Sequence, residues 1–245
     1  VPRREYAALM REFNPTGYDP DRWLDLAEQA GMQNVCFTTK HIEGFCLWNT
    51  AQTDYSVMHT PYGQDVLGRL AEACHRRGFP LCLYYSCVDM HHPNYPNAGR
   101  AYELAAPEPG DRPDLGAYME YGKAQVRELC THYGEIHGFW WDANMLEHRD
   151  PTLNAMIRGL QPKAVINNRG CDAGDFSTPE RESEWANAET RAPRSFTWPT
   201  EACNSLGVQS WGYRRDEDYY SVHHLVDSID TVLAKVAQRY TLPTG

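Results

Sequence analysis

The sequence lacks the short motifs that mark common metal and nucleotide sites. No CxxC or other short metal-binding spacing occurs among its eight cysteines. Cys36, Cys46, Cys82 and Cys130 lie within apolar runs, where a free cysteine behaves as a small hydrophobic residue. No GxGxxG or P-loop motif follows any apolar run, which argues against nucleotide binding. We therefore expect no metal and no other cofactor, and a reduced chain, with one disulfide left open as the alternative.

Positive charge and long apolar runs are also scarce. The chain has 23 Lys and Arg residues against 33 Asp and Glu, which gives a formal net charge of -10 at pH 7. This balance argues against nucleic acid and anionic membranes as partners. No apolar run reaches the length of about 18 residues that a transmembrane helix needs. The first residues, "VPRREYAALM", do not resemble a signal peptide, so we expect a cytoplasmic location.

Short apolar strands alternate with amphipathic helices along the 245 residues. Strands are predicted at 34–38, 80–86, 138–143 and 164–169. Helices are predicted at 20–30, 66–77, 117–134, 151–162 and 216–237, with a long loop at 87–115. Strand–helix repeats of this length favour parallel strands joined by crossover helices. A doubly wound sheet and a (β/α)8 barrel both fit this pattern.

Polar side chains at the ends of the predicted strands favour the barrel. They are Lys40 and His41, Tyr84 to Ser86, Asp142, and Asn167 to Arg169. Functional residues at the carboxyl ends of many strands are typical of a (β/α)8 barrel. We therefore predict an α/β fold, a TIM-barrel-like catalytic domain that occupies residues 1–245 as a single domain.

Three carboxylates are candidates for catalysis. Asp142 follows "FWW" at a strand end, which suits a nucleophile, although it could instead cap a helix. Glu180 in "STPE" lies near aromatic residues that could raise its pKa and make it a general acid, although the segment could be a solvated turn. Glu201 lies beside Trp198 and Trp211 in an aromatic patch that could also be packing.

Basic side chains supply further candidates. His91 and His92 are adjacent, and adjacent residues rarely face one metal ion, so we favour contacts with a polar substrate over metal binding. Arg169 could donate charge-assisted hydrogen bonds to substrate hydroxyls or to a catalytic carboxylate. A structural ion pair is the alternative for Arg169.

Several blocks of the sequence together resemble a known family. They are "EFNPTGYDPDRWLDLAEQAGMQNVCFTTKHIEGFCLWNT", "LYYSCVDMHHPNYP", "YGEIHGFWWDAN", "VINNR", "DFSTPE" and "SWGY". In this order they resemble the family 29 glycoside hydrolases, the α-L-fucosidases. The resemblance implies a (β/α)8-like barrel and a retaining exo-hydrolysis of terminal α-L-fucosyl linkages in glycans or oligosaccharides through a covalent glycosyl-enzyme.

The resemblance also assigns roles to residues. It implies that Asp142 is the nucleophile and Glu180 the acid/base, with Glu201 as second choice. The two carboxyl groups should lie roughly 5–5.5 Å apart. Positions that contact fucose match His41, Trp140 and Arg169. Other candidate substrate contacts are Trp48, Tyr85, His91, His92, Trp198 and Trp211.

The sequence departs from the family pattern in places. Ile42 stands where the family has a second histidine. The family's first and eighth strands and its β-sandwich have no counterpart here, so we expect about six family strands, an incomplete barrel completed by a partner subunit, and a homo-oligomer. Two other functions stay open: a carbohydrate-binding barrel with weakened catalysis, and a metal-dependent hydrolase that uses His41, His91, His92 and Asp142.

Overall fold

The structure, a computed structural model, describes residues 1–100, 103–143, 148–180 and 198–237, with side chains as far as residue 230. The strands are β1 (Val35–Lys40), β2 (Leu81–Ser86), β3 (Gly138–Asp142) and β4 (Val165–Ile166). The helices are α1 (Arg3–Ala8), α2 (Pro20–Gln29), α3 (Val66–Arg77), α4 (Leu115–His132), α5 (Pro151–Leu160) and α6 (Val222–Ala237). The chain forms two compact units, Val1–Gly174 and Asp175–Gly245. The single domain predicted over residues 1–245 stays a prediction.

The four strands form one parallel sheet in the order β1-β2-β3-β4. Helices α3, α4 and α5 connect successive strands. Parallel neighbours need such crossover connections, because the chain must return from the end of one strand to the other end of the sheet before the next strand can run in the same direction. The predicted alternation of strands and crossover helices is confirmed.

An aspartate caps each of the four helices between residues 20 and 160. The caps are Asp19, Asp65, Asp114 and Asp150, and each carboxylate accepts a backbone N–H from the first turn of its helix. Each cap satisfies an N–H group that the helix itself leaves unpaired. Gly78 ends α3 with φ 64°, a left-handed conformation that glycine adopts without strain.

The sheet has two chemically different faces. One row of register partners is buried across all four strands: Phe37, Leu83, Phe139 and Ile166. The next row, with Thr38, Tyr84 and Trp140, points to the opposite face, because side chains alternate along a strand. The first face packs in the hydrophobic core, and the second carries polar and aromatic side chains toward the carboxyl ends of the strands.

Some predicted elements have different bounds in the structure. The predicted strand at 164–169 is only two residues long, because the Asn167 side chain bonds both the N–H and the C=O of Trp141 in place of further backbone pairing. Helix α6 begins at Val222 rather than 216, because the Ser221 hydroxyl accepts the N–H of His224 as an N-terminal cap. The described residues contain four strands of the sheet, and isolated bridges pair Ser177 with Thr200, Glu180 with Cys203 and Gly207 with Tyr219. The expectation of about six family strands stays a prediction.

All eight cysteines are free thiols, so the disulfide alternative is not realised in the structure. No helix in the described part of the chain is long and apolar enough to cross a membrane.

Candidate active site

Asp142 ends β3 and is held from two sides. Its Oδ1 accepts a hydrogen bond from Arg169 Nη1 at 2.8 Å, and its Oδ2 accepts one from the Tyr84 hydroxyl at 2.5 Å. The Asp142 side chain is 22% exposed and that of Arg169 is 17% exposed. Burial, and then the charge of Asp142, raise the pKa of Tyr84, so this hydroxyl stays a donor. The carboxylate therefore has a fixed orientation and remains accessible.

The alternative role of Asp142 as a helix cap is excluded by the position of α5. That helix begins at Pro151, and its cap is Asp150, whose carboxylate accepts the N–H of Thr152. Directly after Asp142, Ala143 has φ 49°, in the left-handed region that non-glycine residues rarely adopt. The regular extended backbone of β3 thus ends directly after the carboxylate.

A row of stacked side chains leads from β1 to Asp142. His41 stacks on Tyr84 with ring centroids 5.6 Å apart, and Tyr84 stacks on Trp140 at 5.5 Å. The Arg169 guanidinium lies over the Trp140 ring at 4.6 Å. Flat aromatic faces beside a carboxylate and a guanidinium suit a ligand with one apolar face and several hydroxyl groups. Of the predicted contacts, the structure brings His41, Trp140 and Arg169 together with Asp142.

Trp48 and Tyr85 lie elsewhere, in the core. Trp48 is fully buried, and its Nε1 donates to the Glu128 carboxylate at 3.1 Å. Tyr85 is buried on the opposite face of β2 from Tyr84, where its hydroxyl bonds Lys40 and Gln125. Both side chains are buried, so neither presents a surface to a ligand. Sequence reasoning placed Tyr84 at a strand end but missed its role and chose Tyr85 instead, whereas Tyr84 is the neighbour that reaches Asp142.

His91 and His92 lie half-buried on the loop after β2. His91 stacks on Tyr55 with centroids 3.9 Å apart, and His92 packs against Tyr121 at 4.1 Å. Burial lowers the pKa of both histidines, so both favour the neutral form. Both backbone N–H groups donate to Asp89 Oδ1, at 3.0 and 2.9 Å. These contacts fix the loop independently of any ligand.

Metal binding would require His41, His91, His92 and Asp142 to converge. Among the described residues there is no group of three or more His, Cys, Asp or Glu side chains that could hold a metal ion. His41 instead approaches Glu43, with 3.4 Å between Nδ1 and Oε2.

The remaining candidates belong to the second compact unit, Asp175–Gly245. Parallel bridges pair Ser177 with Thr200 and Glu180 with Cys203, so Glu180 and Glu201 lie on two paired segments. Both glutamates are exposed. Trp198 and Trp211 are also exposed, at 56% and 54%. These four residues keep the predicted roles as hypotheses, and the pairing gives neither glutamate an advantage.

Comparisons with known proteins point in one direction. A family model described as alpha-L-fucosidase matches residues 2–238. Alpha-L-fucosidase 1 of Arabidopsis thaliana is 33% identical over 195 residues, which cover 76% of this chain and 33% of that protein. This chain thus spans about a third of the length of that relative.

Two solved structures have a similar fold. Alpha-L-fucosidase isoenzyme 1 from Paenibacillus thiaminolyticus has a TM-score of 0.81 and 32% identity, over 96% of this chain and 60% of that one. Alpha-L-fucosidase AlfC from Lactobacillus casei, in complex with alpha-L-fucose product, has a TM-score of 0.81 and 27% identity, over 96% of this chain and 75% of that one. This likeness confirms the (β/α)8-like barrel class predicted from the sequence.

Proposed function

The chain belongs to the alpha-L-fucosidase family, and from that premise we propose that it hydrolyses terminal α-L-fucosyl linkages of glycans or oligosaccharides with retention of configuration. The observation that carries the proposal is the position of Asp142. This carboxylate ends a strand of the sheet, accepts bonds from Tyr84 and Arg169, and adjoins the stacked rings of Tyr84 and Trp140. The predicted homo-oligomer and cytoplasmic location stay predictions.

In this mechanism Asp142 is the nucleophile. One of its oxygens attacks the anomeric carbon of the fucosyl group, while the bond from that carbon to the leaving oxygen breaks. Glu180 donates a proton to the leaving oxygen. Glu180 then removes a proton from a water molecule that attacks the same carbon, which releases fucose and restores the Asp142 carboxylate.

Arg169 and Tyr84 serve this chemistry by orientation. Each donates to a different oxygen of Asp142, so rotation of the carboxylate is restricted. Each oxygen keeps a lone pair beyond the one it uses for its donor. A nucleophile fixed in its attacking orientation avoids an entropic cost at the transition state. His41 and Trp140 border the same face and are proposed to contact the sugar.

The test is hydrolysis of an aryl α-L-fucoside and of a fucosylated oligosaccharide by the wild type, Asp142→Ala and Glu180→Ala. We expect Asp142→Ala to lower kcat on the order of 10³-fold or more. Added azide should restore turnover in both variants and yield fucosyl azide of opposite anomeric configuration, β from Asp142→Ala and α from Glu180→Ala. Retention is read directly from the anomer first released by the wild type, by NMR.

Other outcomes would replace the proposal. Binding of L-fucose without turnover by the wild type would favour a carbohydrate-binding barrel. Activity lost on chelation and restored by a metal ion would favour a metal-dependent hydrolase. An Asp142→Ala variant that folds and keeps wild-type kcat would remove Asp142 from the reaction.

A further inference from the structure

Lys40 is a charged side chain without access to water. It is the last residue of β1 and is 0% exposed. Its Nζ donates to Asp89 Oδ2 at 3.1 Å and to the Tyr85 hydroxyl at 3.0 Å. Burial alone would lower the pKa of Lys40, but Tyr85 and Asp89 outweigh it and raise the pKa. A buried ion pair of this kind costs desolvation energy, and a hydrophobic pair would often be at least as stable.

The second carboxylate oxygen of Asp89 binds the backbone of the following loop. While Oδ2 faces Lys40, Oδ1 accepts the consecutive backbone N–H groups of His91 and His92. One buried carboxylate thus links the end of β1 to the loop that carries both histidines. Truncation of this carboxylate would leave two loop N–H groups without their acceptor.

Gly44 leaves the space that Asp89 occupies. It has φ 86°, and a Cβ built on it would lie 2.2 Å from Asp89 Oδ1. The two loops are also joined directly, since the N–H of Met90 donates to the C=O of Ile42 at 2.8 Å. The loop of His41 and the loop of His91 and His92 are therefore locked to each other around Asp89.

We infer that Lys40, Gly44 and Asp89 are positioning residues that hold His41, His91 and His92 for substrate binding. The inference rests on the proposed function, because these three histidines are its proposed substrate contacts. Asp89 acts through the loop backbone, Gly44 gives it room, and Lys40 neutralises its buried charge. None of the three touches the sugar.

The test compares two double variants that both remove the buried ion pair. The first, Lys40→Met with Asp89→Asn (the Asn pair), keeps an amide oxygen that can accept the N–H groups of His91 and His92. The second, Lys40→Met with Asp89→Ala (the Ala pair), removes that acceptor. We expect the Asn pair to keep KM for an aryl fucoside within about threefold of wild type and the Ala pair to raise KM about tenfold, the worth of one hydrogen bond, with little change in kcat.

Gly44→Ala provides an independent variant that keeps both charges. Its Cβ would displace Asp89, so we expect a similar rise in KM. Amide hydrogen exchange at His91 and His92 should accelerate in the Ala pair and in Gly44→Ala but not in the Asn pair. Equal KM values in folded Asn and Ala pairs, or faster exchange with unchanged KM, would overturn the inference.

The same variants separate this inference from the proposed activity. If the wild type binds L-fucose without hydrolysis, the proposed activity fails, and the dissociation constant of L-fucose takes the place of KM in the comparison. A weaker affinity only in the Ala pair and in Gly44→Ala then supports the inference. If the wild type neither hydrolyses a fucoside nor binds L-fucose, both proposals are wrong.

Discussion

The two compact units of the chain hold their candidate catalytic carboxylates in different ways. In Val1–Gly174, Asp142 ends a paired strand and accepts hydrogen bonds from Tyr84 and Arg169. In Asp175–Gly245, Glu180 and Glu201 are exposed and lie on segments joined by isolated bridges. A carboxylate that forms a bond to carbon needs a fixed orientation. The contacts of Asp142 supply that orientation, which supports Asp142 as the nucleophile.

After Asp142→Ala, the largest loss of activity is expected from replacing the glutamate that acts as acid/base. Glu180→Ala should lower kcat/KM for a fucosylated oligosaccharide by roughly 10²–10⁴-fold, the usual contribution of a general acid. Glu201→Ala is its matched control and should lower it by less than about tenfold. A reversal of the two values would move the acid/base role to Glu201.

The dependence of the rate on the leaving group is a second way to decide whether Glu180 or Glu201 is the acid/base. An aryl fucoside with an acidic phenol needs little protonation to depart, so the acid/base variant should lose far less on the first chemical step with that substrate. Pre-steady-state release of the phenol measures this step. Equal losses with both substrates would contradict a proton-donor role for the residue replaced.

The next effect concerns the two tyrosines of β2. Tyr84→Phe removes a donor to the Asp142 carboxylate, and we expect kcat/KM to fall roughly 10–100-fold, because hydrogen bonds to charged groups contribute about 1.5–3 kcal/mol. Tyr85→Phe removes a buried hydroxyl that bonds Lys40 and Gln125. That variant should lose about 1–3 kcal/mol of unfolding free energy and little activity. Urea unfolding and steady-state kinetics separate the two, and equal losses of activity would undo the distinction.

A smaller effect is the response of stability to acid. Burial lowers the pKa of His91 and His92 below the ordinary value of 6.5, and His92 Nδ1 accepts the backbone N–H of Asn94. Below that value the unfolded chain binds more protons than the folded chain, so stability falls as pH decreases from 6.5 toward the folded-state pKa values. His92→Gln should reduce this slope, measured as Tm against pH. An unchanged slope in His92→Gln would contradict the assignment.

The smallest effects are expected at the exposed tryptophans of the second unit. Trp198→Ala and Trp211→Ala should change the free energy of unfolding by about 0.5 kcal/mol or less, since exposed side chains contribute little. If these rings contact the sugar, KM for an oligosaccharide should rise a few-fold without a change in kcat. A large loss of stability would assign them to packing instead.

Much of the first unit could be predicted because its patterns are local. The alternation of apolar runs and amphipathic segments predicted four helices and the parallel strands between them. The alternation of side chains along a strand could also have distinguished Tyr84 from Tyr85. In "LCLYYS", Leu81, Leu83 and Tyr85 alternate along the strand, share one face of the sheet and are buried, while Tyr84 lies on the opposite face. The missed residue was therefore visible in the pattern.

Other features could not be predicted because their causes are distant in sequence. Lys40 extends β1 beyond the predicted end at Thr38, since Asp89 neutralises its charge from 49 residues away. Asn167 ends β4 early because its side chain pairs with the backbone of Trp141. The local sequence pattern around Lys40 or Asn167 contains no information on these distant partners. The choice between Glu180 and Glu201 as the acid/base likewise depends on tertiary contacts, which a local sequence pattern does not contain.

The complete burial of Lys40 has a practical consequence. Its ammonium group cannot meet an amine-directed acylating reagent in the native state, whereas the side chain of Lys163 is 76% exposed and accessible to such a reagent. Lys40 can be labelled only during openings that separate β1 from the loop of Asp89, so its labelling rate, read by mass spectrometry, reports the free energy of those openings. The chain thus contains its own chemical reporter of unfolding, placed one residue before His41.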